Sequence, residues 1–493
     1  MLRYTTTAMA LPASTHGTPQ VPPPRGRRDL IAFYDRLAPE REAWKARNAY
    51  YYRERARYFA FYLPPGQAVL EIGNGTGDVL EAVSARRGVG CELSPAMAAA
   101  AARAGSRFEF CALDNEEIPL DERFDAIVVS GVIGDLTDVQ AFLRALRRLC
   151  TRRTRLYVDH YNPLWQPLVT AAERLGAKMP QPDQNWLTPD DIENLLTLAG
   201  FEVIRRDRRL LAPKYVPLLS TLCNRVLGKL PLLRRLCLVH CFVARPRPEQ
   251  GDALSCTVVV PCRNERGNIP GLLDRIPEMG CSTEVVFVDG ASEDGTPEAI
   301  EAEIAGHPGR RARLIHERAP HGKGDAVRQG FAAATGDVLM ILDGDLTVPP
   351  EDLPKFYEAL RDGSGEFANG SRLVYPMERQ AMRSLNYLGN KVFSLLFTWV
   401  LGQRIRDTLC GTKALFRSDY ETMERQRDVL ARADPFGDFF LLFGAAKQSL
   451  RIIEIPIRYR SRMYGDTKTR ILRHGLLLLR TWWAGLRLFK IAS

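Results

Sequence analysis

The sequence predicts two α/β domains in one chain, each a doubly wound sheet of mainly parallel strands. Three observations predict it. The chain of 493 residues exceeds what one hydrophobic core usually supports. Apolar strand-like runs alternate with helix-like stretches in two separate series, the pattern of parallel strands joined by crossover helices. Between the series, Arg245-Pro-Arg-Pro-Glu-Gln-Gly-Asp252 breaks any regular element and reads as a linker.

Taken in order, residues 1–28 are rich in Thr, Pro and Arg and lack a long apolar run, so they read as a disordered tail and not a secretory signal. Residues 29–62 have a helical pattern that stops at Pro64-Pro65-Gly66. Strand-like runs follow at Ala68–Ile72, Gly88–Leu93, Phe108–Leu113, Phe124–Ser130 and Arg155–His160. Two more, Phe201–Leu211 and Leu236–Arg245, flank a basic apolar insert, Ala212–Arg235. The second series has strands at Ser255–Pro261, Thr283–Asp289, Arg313–Glu317 and Asp337–Asp343, runs to about residue 385, and gives way to mixed helices. The expected division is a tail (1–28), a first domain (29–245), a linker (246–253), a second domain (254–470) and an amphipathic C-terminal helix (471–493).

Composition narrows the partners. Hydrophobic content of 45% with 26% charged residues is ordinary for globular protein. A net charge of +10 suits nucleic acid, an anionic membrane surface or phosphate-bearing substrates. No zinc-finger spacing and no aromatic–basic RNA signature occurs, so no nucleic-acid partner is expected. The ten cysteines are scattered, without a C-x-x-C pair, and read as reduced thiols of a cytosolic protein. No apolar run reaches the roughly 18–20 residues that span a bilayer. Leu388–Gly402 is short and carries Lys391, and Gly475–Ile491 is interrupted by Arg480, Arg487 and Lys490. Trp482 and Trp483 beside those arginines fit a helix lying in a membrane interface, with packing on its own domain as the alternative. The expected location is therefore peripheral, on the cytoplasmic face of a membrane.

The first chemical signature is Glu71-Ile-Gly73-Asn-Gly75-Thr-Gly77. A strand ending in an acid and turning through three glycines lets the backbone approach a ligand at the carboxyl edge of the sheet. A dinucleotide fingerprint needs another glycine where Asp78 stands, and an acid there repels a pyrophosphate. A cofactor carrying an amino acid and a sulfonium fits better. Glu92, ending the next strand, can accept from ribose hydroxyls, and Asp114, ending the third, from an adenine amino group. With Asp114-Asn-Glu-Glu-Ile-Pro119, Phe124-Asp125 and Ser130-Gly131-Val132, these motifs make residues 45–245 resemble a class I S-adenosylmethionine-dependent methyltransferase. Cys150–Thr154 departs from the Pro-Gly-Gly turn of many relatives. The resemblance implies S-adenosylmethionine held by Glu71, Gly73, Gly75, Gly77, Glu92 and Asp114. Such catalysis is mostly alignment, and a hydroxyl acceptor would gain from a base. Asp159, His160 and Tyr161 are the candidates, with a structural place for His160 equally open.

The second signature is Asp343-Gly344-Asp345 after the apolar strand Leu339–Leu342. Two acids one residue apart at a strand end can hold a hard divalent cation that also grips a diphosphate. Pro261-Cys-Arg-Asn-Glu265, the Asp289–Thr296 loop and Gly322-Lys323-Gly324-Asp325 surround it in sequence. Asn369-Gly370-Ser371-Arg372 and Ile455-Pro456-Ile457 with Arg462, Gly465 and Lys468 follow. Together they resemble an inverting family 2 glycosyltransferase of the A-type fold over residues 253–470, within it the polyprenyl-phosphate sugar transferases. Gly290-Ala291 and Thr467 depart from that group's pattern.

The resemblance implies a nucleotide-sugar donor held by Pro261, Glu265, Asp289, Asp294, Lys323, Asp343, Gly344 and Asp345, with Asp343 and Asp345 on Mg²⁺ or Mn²⁺. Arg372, Arg383, Arg462 and Lys468 are expected on donor or acceptor phosphates, since guanidinium forks suit phosphate oxygens. Asp345, Asp438 and Arg372 are expected to carry the transfer, Asp438 as the base an alcohol acceptor would need. A phosphate nucleophile needs none. The combined expectation is a bifunctional transferase that glycosylates a polyprenyl-phosphate-type lipid and methylates an unspecified acceptor. The alternative is a glycosyltransferase with a non-lipid acceptor, its methyltransferase fold a scaffold.

Overall fold

The computed structural model describes residues 27–492 apart from 74, 76, 104–106, 113–117, 119, 183, 249–250, 252, 318–321, 375–383, 431–436, 461–463 and 465–470. Two seven-stranded sheets organise it. The first contains β1 (Ala68–Ile72), β2 (Arg87–Glu92), β3 (Glu109–Ala112), β4 (Phe124–Ser130), β5 (Cys150–Tyr161), β6 (Phe201–Arg209) and β7 (Val239–Pro246) in the order β3-β2-β1-β4-β5-β7-β6. All neighbours are parallel except β7, which runs antiparallel to β5 and β6. The second contains β8 (Cys256–Cys262), β9 (Thr283–Asp289), β10 (Arg311–His316), β11 (Val338–Ile341), β12 (Phe367–Ser371), β13 (Lys413–Phe416) and β14 (Ile452–Pro456) in the order β10-β9-β8-β11-β13-β12-β14. Here β13 is the antiparallel strand.

Continuous apolar runs become central strands because both faces of each sheet are covered. Val69, Ala126, Val128, Tyr157 and Val243 enter one core, while Leu70, Ile72, Ile127, Val129 and Leu156 enter the other. That alternation is the period of two of a strand. Helices start where the local chemistry allows it. Before Pro189–Leu198, Thr188 and Asp191 form a reciprocal capping box with Pro189 at the first helical position.

Two expectations are corrected. The presumed linker begins too early, because β7 continues through Pro246 and buries Arg245. Nor does the second sheet end near residue 385, since β13 and β14 lie beyond it. Both are short strands of four and five residues between helices, below what periodicity alone resolves.

The halves meet in a charged seam. Arg155 on β5 donates to both carboxylate oxygens of Glu366 at 2.8 Å, and both residues are buried. Arg205 on β6 is 1% exposed and donates to the Leu401 carbonyl at 2.6 Å and the Ala446 carbonyl at 3.1 Å. Arg245 donates to the Gly363 carbonyl at 2.8 Å.

Candidate active sites

In each sheet the strand order reverses between the first strand and its later parallel neighbour, β1/β4 and β8/β11. Open α/β sheets bind ligands at the carboxyl edge of such a switch point. Both sequence signatures sit there.

At the first edge, Gly73, Gly75 and Gly77 have φ of +76°, +59° and +83°, the left-handed region glycine tolerates. A Cβ on Gly73 would lie 2.0 Å from Val132 Cγ2 and 2.7 Å from the Ser130 carbonyl. Glu71 is 1% exposed and accepts from the Leu80 amide at 3.3 Å. Burial pushes its carboxyl up to about 8, against the pull of Arg55. Glu92 accepts from the Gly75 amide and so braces the glycine loop. Asp114 lies outside the described residues.

A cavity of about 220 Å³ opens there, lined by Gly73, Gly75, Glu92, Ser130 and Gly131. Its other wall, which sequence reasoning missed, is Tyr34, Arg41, Tyr51, Tyr52 and Arg55 from the N-terminal helices. The signal was the Tyr50-Tyr-Tyr-Arg-Glu-Arg55 run, too rich in aromatic and arginine side chains for a solvated helix. Tyr34 donates to Asp135 at 2.5 Å, and Arg41 donates to the Tyr52 hydroxyl at 3.0 Å. Arg41 Nε is buried with no hydrogen-bond partner among the described residues.

The three candidate bases are corrected by their surroundings. Asp159 accepts from the Gly131 amide and Arg55 Nε, both at 2.6 Å, so its oxygens are taken up in holding the site's wall. His160 is buried, accepts from the Leu187 amide at 3.3 Å, and is held down to about 4 by burial. Tyr161 alone of the three lines the cavity, and burial raises its phenol to about 12.

The second edge holds a cavity of about 390 Å³ lined by Pro261, Glu265, Gly290, Glu317, Lys323, Asp343, Gly344 and Asp345, among others. Lys323 Nζ meets Asp343 at 2.6 Å. Burial works against that ammonium, but Asp343 and Asp438 outweigh it and raise its pKa. Gly411 is packed so closely that a Cβ would lie 2.2 Å from both Asp343 Oδ2 and Lys323 Nζ. Asp345 is oriented by the Thr347 amide at 3.1 Å and hydroxyl at 2.9 Å. Among the described residues no group of three His, Cys, Asp or Glu side chains is arranged to hold a metal. Two carboxylates on a cavity wall fit a hard cation completed by substrate phosphates. Asp289, ending β9, is 3% exposed, and its Oδ1 has no hydrogen-bond partner among the described residues. A buried acceptor of that kind suits a donor from a bound base.

Other expected ligands are otherwise employed. Asp294 accepts from the Thr296 amide and hydroxyl and the Arg266 amide, which fixes the start of the helix Thr296–Gly306. Arg372 forms a fork on Asp407, at 2.7 and 2.8 Å, away from the cavity lining. Asp438 pairs with Lys413 at 2.9 Å. Burial opposes its charge, but Lys413 and Lys323 hold the carboxyl below the usual range. Both pairings join segments far apart in sequence. Arg383, Arg462 and Lys468 lie outside the described residues.

The chain carries two family domains in series, a methyltransferase domain followed by a glycosyl transferase family 2 domain. Residues 43–206 match the family described as Methyltransferase domain, and residues 257–427 match Glycosyl transferase family 2. The chain belongs to glycosyl transferase family 2 through that second half. It is 35% identical over 214 residues to a dolichyl-phosphate hexose transferase of Haloferax volcanii, covering 43% of this chain and 85% of the relative. It is 35% identical over 145 residues to the dolichol-phosphate mannosyltransferase of Saccharomyces cerevisiae, covering 27% of this chain and 53% of the relative. The chain thus spans about half the length of the yeast protein, and 39% of a Haloferax volcanii glycosyltransferase that it also matches. A SAM-dependent methyltransferase structure from Thermotoga maritima aligns at 17% identity and TM-score 0.35, over 44% of this chain and 99% of that one.

Proposed function

We propose that residues 254–470 transfer a sugar, with inversion, from a nucleotide donor to a polyprenyl-phosphate-type lipid. Residues 29–245 are proposed to methylate a second acceptor with S-adenosylmethionine. The observation that carries the acceptor assignment is the Asp438–Lys413 pair. The acid expected to deprotonate an alcohol is ion-paired and poorly basic, whereas a lipid phosphate is already ionised and needs no base.

On this reading, Asp289 receives the donor's base, and Asp343 and Asp345 would hold Mg²⁺ or Mn²⁺ against its diphosphate. The cation, when bound, neutralises charge on the departing nucleotide. Lys323 orients Asp343 through their ion pair. In the other half, the left-handed glycines and Glu92 form the cofactor's cradle, and the unpartnered Arg41 Nε suits its carboxylate. The names of the relatives, which specify dolichol phosphates, support the lipid acceptor.

A peripheral membrane position, on the cytoplasmic face, is part of the proposal. No helix among the described residues is long and apolar enough to cross a membrane. Helix Ile471–Leu486 buries Leu478 yet exposes Leu476, Leu479 and Trp483, and helix Ser384–Leu401 exposes Val392 and Leu395. Apolar side chains beside Arg480 and Arg487 support interfacial docking.

The test is transfer of radiolabelled sugar from a panel of nucleotide sugars to added polyprenyl phosphate by the full chain. Chelator-sensitive labelling of the lipid is expected. Labelling of soluble alcohols alone would overturn the acceptor assignment.

A further inference from the structure

A third cavity, of about 220 Å³, sits at the seam and shares no lining residue with either active-site cavity. Strand β6, the insert after it and the C-terminal segment build it. Its wall carries Arg206, Arg208, Arg209, Lys229, Arg234 and Lys490 against one acid, Asp207. That acid is already engaged, by the Tyr58 hydroxyl at 3.1 Å and Arg205 at 3.8 Å. Arg206 turns outward to Asp190 and Glu193.

Lys490 is the decisive group. It is 8% exposed, lines the cavity, and among the described residues its ammonium makes no hydrogen bond and no ion pair within 4.0 Å. Its ammonium is pulled down to about 8, by burial first, with Arg205, Arg209 and Arg234 adding to the effect and Asp207 opposing it. Lys229 is lowered well below the lysine range by burial and by Arg209 and Lys490. Buried charge of one sign is costly unless something pairs with it. The seam's buried arginines, by contrast, are matched, Arg155 by Glu366 and Arg205 by two carbonyls.

We propose that this cavity binds a phosphate-bearing anion. A dianion with several acceptor oxygens matches ammonium points and guanidinium forks converging from separate elements. The phosphate can be free or a lipid headgroup. The insert supplying Lys229 and Arg234 also exposes Leu218 (87%) and Leu232 (76%), which would meet the apolar side of a headgroup.

The test uses the full chain in chelator, to silence the donor cavity. Titration calorimetry with inorganic phosphate should detect binding in the wild type and in Asp343→Asn. It should weaken by at least about 100-fold in Lys229→Met/Lys490→Met, the loss expected when two charge-assisted hydrogen bonds are removed. Flotation with phosphatidylcholine vesicles, with and without phosphatidic acid, separates the sources. Phosphatidic-acid-dependent flotation lost in the double variant assigns the site to a headgroup. Equal flotation of both proteins, with calorimetry still differing, assigns it to free phosphate. The wild type's unfolding temperature should also rise with phosphate, which needs no variant to fold. Absence of that rise, or equal phosphate and vesicle binding by wild type and double variant, overturns the proposal.

Discussion

Replacing Arg155 by methionine tests whether the seam holds the two halves as one unit. Arg155 is 6% exposed and donates to Glu366 twice at 2.8 Å, and to the Ser449 and Arg153 carbonyls at 3.0 Å. Methionine fills much of the volume but supplies no charge. Glu366 would stay buried with the Arg451 amide at 2.9 Å and Arg245 at 3.6 Å. Removing one partner of a buried pair costs about 3–5 kcal/mol. The remaining Arg245 places the loss near the lower end, about 3 kcal/mol. Unfolding entropy is about 2.1 cal/mol/K per residue, so roughly 460 residues unfolding together would lose about 3 °C. A half of roughly 220 residues unfolding alone would lose about 6 °C. Scanning calorimetry reads both the shift and the number of transitions. The companion variant Arg155→Met/Glu366→Leu should recover most of the loss, because an apolar pair leaves no orphaned charge. A single variant within about 0.5 kcal/mol of wild type would refute the reasoning, as would a double variant worse than the sum of its parts.

Two further outcomes follow from buried groups at the first sheet. Gly73→Ala, with its Cβ 2.0 Å from Val132 Cγ2 and φ of +76°, should displace the loop; calorimetry should show S-adenosylmethionine affinity falling at least about tenfold, and unchanged affinity would sink the cofactor site. His160 and His240 are both buried and held near 4, burial being the main cause. The unfolded chain takes up protons near 6.5 that the folded chain refuses, so stability is complete above about 6.5 and falls as pH drops toward 4. Each histidine accounts for about 3 kcal/mol of that fall, and His160→Gln should flatten the unfolding-temperature profile between those values. An unaltered profile would show that His160 does not titrate as its burial requires.

The two sheets were legible because central parallel strands are unbroken apolar runs, and because both signatures sit at strand ends where ligands bind. Gly73–Gly77 and Asp343–Asp345 could be placed from spacing alone. What could not be read was partnership. Arg372 looks like a phosphate fork in sequence, yet Asp407, 35 residues on, takes it. Asp438 looks like a base, and Lys413 neutralises it from an antiparallel strand too short for its pattern to register. The wall of the first cavity was hidden for another reason. Helices Arg41–Arg47 and Ala49–Tyr62 precede the first strand in sequence, and only folding brings Arg41 over Gly75 and Tyr52 into the same cavity wall.

The seam also constrains how two chemistries can cooperate. Swinging the halves apart would expose Arg155, Arg205, Arg245 and Glu366 together and break the hydrogen bonds that bridge them. Each charge-assisted bond is worth about 1.5–3 kcal/mol, so an opening that broke four of them would cost about 6–12 kcal/mol. The closed arrangement, with the two cavities at the switch points of different sheets, is therefore strongly favoured. On the proposed function, a product shared between them would cross the surface of the protein rather than wait for one half to close on the other. The exposed leucines of the insert and the C-terminal helices give that surface an apolar side. Lys229 and Lys490 line the cavity at the seam, and on the proposal above a phosphate-bearing product would meet them there.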